Sequence, residues 1–521
     1  MEEQVLIYDT TLRDGTQGEQ ISFSAEEKLR ITQKLTELGV HYIEGGWPGS
    51  NPKDMRFFQM AKESRLKTAP LTAFGSTRRA HIPPENDPNL EALLQAETQT
   101  VTIFGKSWDL HLTEILGVPL EENLAMICDS VNYLKSKGKE VIFDAEHFFD
   151  GYKANPQYTL KTIQAAISGH ADIIVLCDTN GGTMVGDVKE MVKMVGKSFP
   201  GITVGIHAHN DCGLAVANSL AAVEAGAKMV QGTINGYGER CGNADLISTI
   251  ANLQLKLGRR CLADSKISHL TEVSRYISDI ANMPPLNERP FVGRSAFAHK
   301  GGVHVSAIVK RPLAYEHIDP ATVGNKRRVL VSDLSGRSNI EYKANEMGLA
   351  LGGNGYDSQR IVKEIKQMED QGYQFDAAEG SLELLVKKTT GQFREPFSLL
   401  SLRVINEKNK EGQSVSQATI KISVGEEQEI TAAEGNGPVN AIDNALRKAL
   451  SKFYPRIKEM RLVDFKVRVL EGSAGTAARV RVLIESRDGK DIWNTIGVSE
   501  NIIEASWQAL VDSIYFKLSK E

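Results

Sequence analysis

A chain of 521 residues is too long for one hydrophobic core, so roughly two to four folding units are expected. With 41% hydrophobic and 24% charged residues it reads as an ordinary soluble globular protein, and no apolar run is long enough to span a bilayer. The formal net charge of -5 offers no basic field to recruit nucleic acid or an anionic membrane, which leaves open only a local positive site for a small anion.

The amino terminus, MEEQVLIYDTTLRDG, is acidic and enters a strand-like run at once, unlike a signal or transit peptide. The five cysteines, Cys128, Cys177, Cys212, Cys241 and Cys261, show no CxxC pairing. That pattern fits a reducing cytoplasm, with the thiols mostly small packed residues.

Short β-rich runs then recur: VLIYD, VHYIEGG, LTAFG, TVTIFG, EVIFDAE, DIIVLCDT, TVGIHAHN and MVQGTING. Between them lie segments with apolar residues at helical spacing, such as SAEEKLRITQKLTEL, EENLAMICDSVNYLKSK and AVANSLAAVEAG. Strands alternating with helices in this number predict an α/β fold, a (β/α)8 TIM barrel over 1–265. A doubly wound sheet is the alternative, but no GxGxxG fingerprint follows the first strand.

Polar residues gather where the predicted strands end: Arg13 and Asp14, Glu44, Asp144 and Glu146, Asp178 and Thr179, His207 and His209, and then NGYGERCGN. In a parallel barrel the carboxyl ends of the strands form the active face. Each residue singly could be a cap or an ion-pair member; the set together reads as a site. His207 and His209, one residue apart on a strand, project to the same side. Two such imidazoles can share a divalent metal with a rim carboxylate, Asp9 or Asp14, or serve as ordinary polar residues at a strand end. A metal there would make a chelated 2-oxo acid electrophilic, and Arg13 would suit the developing oxyanion.

From 266 to 392 the pattern changes to Gly-, Pro- and base-rich irregular sequence, followed by an expected amphipathic helix in DSQRIVKEIKQMEDQ. It reads as a small mixed α/β lid or linker subdomain. The tail, 393–521, holds a repeat in which GNGPVNAIDNALRKALSKFY superimposes on IGVSENIIEASWQALVDSIYF when Asn440 is set on Asn501, an offset of 61 (501 less 440). Alternating strand-like runs precede each helix, so a pseudo-twofold α+β domain is expected. It carries no catalytic equipment and reads as a binding or assembly module.

YDTTLRDGTQGEQISFSAEEKLRI, HAHNDCGLAVANSLAAVEAGA and NGYGERCGNADL, in that order, resemble the isopropylmalate, homocitrate and citramalate synthases, a group of metal-dependent barrels related to hydroxymethylglutaryl-CoA lyase. EGGWPGSNPKD, AFAHKGGVHVSA, SDLSGRSNIEYKA and WNTIGVSENIIEASWQALVDSI are similar in particular to the citramalate synthase branch. Isopropylmalate synthases more often read E-A-G-F-P where this chain has Glu44 to Pro48.

The resemblance implies an acyltransferase that condenses acetyl-CoA with pyruvate by Claisen chemistry and hydrolyses the thioester. It implies metal ligation by Asp14, His207, His209 and Asn243, which chooses Asp14 over Asp9; the metal would be Mn, Mg, Zn or Co. It gives Arg13 to the 2-oxo acid and its oxyanion, Thr179 and Asp144 to substrate binding, and Glu146 and His304 to proton abstraction. Glu239 would support Asn243, and Tyr315 would assist near the thioester. Arg327 stands about where some isopropylmalate synthases carry a tyrosine. The resemblance further implies a homodimer whose His304 segment covers the neighbouring barrel, and isoleucine as feedback effector at the repeat domain. Three other readings compete: a 2-isopropylmalate synthase acting on 2-oxoisovalerate, an acyl-CoA lyase, and a barrel without activity that senses an amino acid.

Overall fold

The computed structural model describes residues 3–64, 66, 69–352, 355–408, 410, 412, 414–470 and 472–520; Met1 and Glu2, where the reading of the amino terminus begins, lie outside them. The chain divides into two compact units, 1–297 with 319–326, and 298–318 with 327–521.

The first unit contains a closed parallel barrel of eight strands in sequence order. They are β1 (Leu6–Asp9), β2 (Tyr42–Gly46), β3 (Leu71–Ser76), β4 (Thr100–Lys106), β5 (Glu140–Glu146), β6 (Ile173–Asp178), β7 (Thr203–Ala208) and β8 (Met229–Gly232). Closure comes from β1 on β8, with Tyr8 opposite Gln231 and Asp9 opposite Gly232. Each of the eight predicted runs coincides with one of these strands, β3 and β4 reaching one residue beyond their runs. The last is shorter than its run, because Asn235 and Gly236 adopt positive φ and turn the chain out of the sheet after Gly232.

Local chemistry fixes the intervening helices. In the helix Ala25–Leu38, Ser24 accepts from the Glu27 N–H at 3.1 Å while Glu27 accepts from the Ser24 N–H at 2.8 Å, a reciprocal cap. The helix ends at Gly39, whose φ of 94° suits only a residue without a Cβ. Its Ile31, Leu35 and Leu38 are buried at helical spacing.

The second unit begins with the two-stranded pair β9 (Ala298–His299) and β10 (Arg328–Val329) and the helices Gly302–Lys310 and Arg337–Glu346. The expected helix is present as Tyr356–Asp370, and its Ile361 and Ile365 join Val331, Ile340, Phe375, Leu382 and Val386 in a small core. Then come two antiparallel three-stranded sheets: β11 (Ser398–Lys408), β12 (Ser414–Val424) and β13 (Glu427–Gly435), then β14 (Arg461–Val469), β15 (Val480–Arg487) and β16 (Ile492–Ser499). The helices Pro438–Leu450 and Ile502–Leu518 close them around one shared core.

This is the expected pseudo-twofold arrangement, but its register differs from the sequence superposition. Thr431 Oγ1 donates to the Ala445 carbonyl and Thr495 Oγ1 to that of Ala509, both at 2.7 Å. Ile420 faces Thr431 as Ile484 faces Thr495. Equivalent positions are therefore 64 apart (495 less 431, 509 less 445), three more than the expected 61. A three-residue slip keeps nearly the same face of a helix inward, so helical periodicity alone does not detect it. Cys212 and Cys241 are exposed, Cys177 and Cys261 buried, and all five thiols are free.

Candidate active site

β1 and β7 deliver the central cluster. Asp14 caps a short 3-10 turn just after β1, His207 lies on β7 and His209 follows its last residue. His207 Nε2 is 3.3 Å and His209 Nε2 3.9 Å from Asp14 Oδ2, and the two imidazole nitrogens are 3.3 Å apart. All three side chains are buried, and among the described residues they form a group that could hold a metal ion. Asp9 is occupied elsewhere: its carboxylate accepts from the Thr11 N–H at 3.0 Å and the Thr11 hydroxyl at 2.9 Å. Asp14, not Asp9, therefore stands beside the two imidazoles.

Asn243 lies across an isolated backbone bridge from His209. Its amide nitrogen donates to the Tyr237 carbonyl at 3.0 Å, which fixes the side chain. Asp14 Oδ1, His209 Nδ1 and Asn243 Oδ1 are buried without a hydrogen-bond partner. An orphaned buried polar atom costs about 1–3 kcal/mol, so three beside one cluster call for a partner. Two imidazole nitrogens at 3.3 Å cannot both present lone pairs to each other without a cation or proton between them. The donor set, two imidazole nitrogens, a carboxylate and an amide oxygen, fits a divalent metal.

The electrostatics agree. Burial opposes ionisation of Asp14, but the Arg13 guanidinium and both imidazoles hold its carboxyl well below the usual range. Burial, then neighbouring His207, presses His209 down to about 4, so its ring is neutral at pH 7 and available as a ligand. For His207, burial is outweighed by the hydrogen bond and charge of Asp14, which raise it.

Arg13 is clamped. Its Nε donates to Glu44 Oε1 at 2.5 Å, its Nη1 is 3.6 Å from Asp14 Oδ2, and its guanidinium carbon sits 3.8 Å over the Phe74 ring. Glu44 is wholly buried and also accepts from the Tyr8 hydroxyl and, at 2.6 Å, from Thr10 Oγ1. Beyond Phe74, the rings of Phe74, Phe104 and Trp47 touch edge-on or stacked, with centroids 5.5–5.7 Å apart. Trp47 Nε1 donates to Asn89 Oδ1 at 2.7 Å, and Asn89 Nδ2 to the Ser76 carbonyl at 2.7 Å, which pins the indole.

The other expected residues are placed as follows. Glu146 ends β5 and is ion-paired to Lys106. The Thr179 hydroxyl accepts from the His147 N–H at 2.9 Å, and its carbonyl accepts from Arg240 at 2.8 Å. Asp144 is not a free rim carboxylate: it is buried, and its Oδ1 accepts from Gln231 Nε2 at 3.0 Å. Burial, then the charge of Glu44, pushes it up to about 7. Its link to the cluster runs through Gln231, because a carboxylate at that depth on the strand needs a buried donor. The Glu239 carboxylate is half exposed and lies 3.5 Å from Arg240, not on Asn243; only its carbonyl, accepting from the Gly242 N–H at 2.8 Å, braces the loop. His304 and Tyr315 both belong to the second unit, where their rings stack 4.2 Å apart. In that unit Arg327 pairs with Glu316 at 2.5 Å.

Three participants were not singled out from the sequence: Gln231, Tyr8 and Phe74. Gln231 carries a faint signal, an amide inside the apolar run MVQG.

Residues 4–277 match the family model HMGL-like, 291–373 the homocitrate synthase post-HMGL domain-like model, and 376–518 the LeuA allosteric (dimerisation) domain. Over its whole length the chain is similar to the (R)-citramalate synthase of Geobacter sulfurreducens, at 57% identity over 99% of this chain and 98% of that one. It is 55% identical to that of Aquifex aeolicus, over 100% and 99%. The 2-isopropylmalate synthase of Pseudoalteromonas atlantica is 32% identical, over 98% and 95%.

Proposed function

The chain belongs to the (R)-citramalate synthase family, and from that premise we propose that its barrel joins acetyl-CoA to pyruvate, releasing (R)-citramalate and CoA. The observation that carries the reading is the buried Asp14, His207 and His209 cluster with the Arg13 guanidinium fixed beside it. Asp14, His207, His209 and Asn243 would hold a divalent cation, Mn, Mg, Zn or Co, which when bound supplies Lewis acidity toward the ketone of the oxo acid.

Arg13 holds fixed positive charge where the ketone oxygen becomes an alkoxide, and its bond to Glu44 and stacking on Phe74 leave it no reorganisation to make. The Thr179 hydroxyl binds the substrate carboxylate. A base, Glu146 or His304, takes one proton from the acetyl methyl, and the enolate carbon bonds to the ketone carbon as the carbonyl electrons move to oxygen. That oxygen takes a proton; water then adds at the thioester and CoA leaves as the thiol.

The aromatic wall of Trp47, Phe74 and Phe104 next to Arg13 supports a small oxo acid. Extra methylenes are worth about 1–3 kcal/mol each in such a pocket, which favours pyruvate over 2-oxoisovalerate without excluding the latter. The match of residues 376–518 to an allosteric, dimerisation domain supports a homodimer with a feedback effector; isoleucine, at the apolar pseudo-repeat, is the effector of this reading. The His304 segment, in this reading, serves the neighbouring subunit.

The test is free-thiol release by the purified chain with acetyl-CoA and each oxo acid. Turnover with pyruvate should exceed that with 2-oxoisovalerate at least tenfold; equal or better turnover with 2-oxoisovalerate would overturn the assignment.

A further inference from the structure

His207 has two ring nitrogens, and only one faces the cluster. Nε2 points at Asp14 and His209; Nδ1 lies 2.8 Å from Gln231 Oε1. The other end of that amide, Nε2, is 3.0 Å from Asp144 Oδ1. Gln231 and Asp144 are both buried, so neither bond is exchanged with water. The chain of bonds has a direction. In the structure the Gln231 NH2 faces Asp144 and its carbonyl faces His207, the order that an ionised Asp144, which can only accept, enforces. A carbonyl can only accept, so the proton of the neutral imidazole is held on Nδ1 and the lone pair on Nε2 is directed into the cluster.

We infer that Gln231, oriented by Asp144, is a positioning residue that locks His207 in the one tautomer able to ligate a metal. β8 supplies Gln231, β5 Asp144 and β7 His207, so the barrel staves themselves set the ring; no flexible loop takes part. This role differs from direct substrate contact by Asp144, and it rests on the reading of Asp14, His207 and His209 as a metal centre.

The full-length chain, stripped with chelator, is titrated with Co2+ and followed by its visible absorption, alongside 15N spectra of the metal-free histidines. Gln231→Met keeps the length of the side chain and removes the strong acceptor; it should weaken Co2+ binding about 10- to 100-fold and leave His207 as a mixture of tautomers. Gln231→Glu, which can still accept from Nδ1, should restore the single tautomer and the affinity. Since Gln231→Met orphans a buried carboxylate, the double variant Gln231→Met/Asp144→Leu repeats the test without one and should bind as weakly. Unchanged affinity and an unchanged tautomer in a folded Gln231→Met or double variant would overturn the inference. If the wild-type chain itself fails to bind Co2+, the metal-centre reading fails first, and this inference with it.

Discussion

Arg13 illustrates how one side chain serves several needs at once. Its fork bonds Glu44, lies near Asp14 and stacks on Phe74. A lysine offers a point charge without the planar fork. Arg13→Lys should therefore lower kcat with pyruvate by about 10²–10³-fold, as loss of an oxyanion donor does, with little change in melting temperature; a change below threefold would remove Arg13 from the chemistry. Asp144 gives a pH prediction. Burial raises its pKa from 3.8 to about 7, so the folded chain keeps a proton that the unfolded chain releases. The associated stability is complete below about pH 4 and is lost as pH rises through about 7. In the metal-free protein, the melting temperature of Asp144→Asn should gain on the wild type between pH 4 and pH 8; a constant gap would contradict the assignment. At this scale His207 and His209 were legible, because H-x-H at a strand end has a spacing; between Asp9 and Asp14 the spacing left the choice open, and only the resemblance chose Asp14. Gln231 has no such spacing: a single amide in an apolar run looks like any buried polar residue until the structure sets Asp144 and His207 on either side of it.

Among the elements, the turn after β8 is closely constrained. Gly238 has a φ of 150°, and a Cβ there would lie 2.1 Å from Asn243 Nδ2. Gly238→Ala should displace Asn243 and weaken divalent-metal binding at least tenfold in a chain that still folds; equal binding would show that Asn243 is not a ligand. The loop between β2 and the helix Pro52–Glu63 is fixed as well, with Trp47 pinned by Asn89. Trp47→Ala should raise kcat/KM for 2-oxoisovalerate relative to pyruvate by tenfold or more, and an unchanged ratio would place the side-chain pocket elsewhere. Most elements could be read from periodicity. The register of the repeat could not, since helical spacing tolerates a three-residue slip. The paired threonines, Thr431 and Thr495, decide it through bonds that only the fold displays.

For the whole molecule, the order of strands explains why the site was readable in outline. A closed parallel barrel brings the carboxyl ends of β1, β7 and β8 together although β1 lies some 200 residues before the other two in sequence. Polar residues at successive strand ends were therefore bound to share one mouth, whatever their separation along the chain. What the pattern could not supply was depth: Asp144 and Glu44 both sit on barrel strands, yet both are buried and committed to neighbours. The pseudo-twofold tail adds a regulatory expectation. Isoleucine should inhibit pyruvate-dependent thiol release and leucine should not; inhibition by leucine alone would move the tail to another end product.

The central claim is that one cation sits between Asp14, His207 and His209 and receives the oxo acid. Anomalous diffraction from crystals grown with Mn2+ and pyruvate tests it directly. A single strong peak within about 2.0–2.3 Å of both imidazole Nε2 atoms and an Asp14 oxygen, with pyruvate chelated beside Arg13, is the predicted result. An empty mouth, or rings turned away from each other, would contradict it.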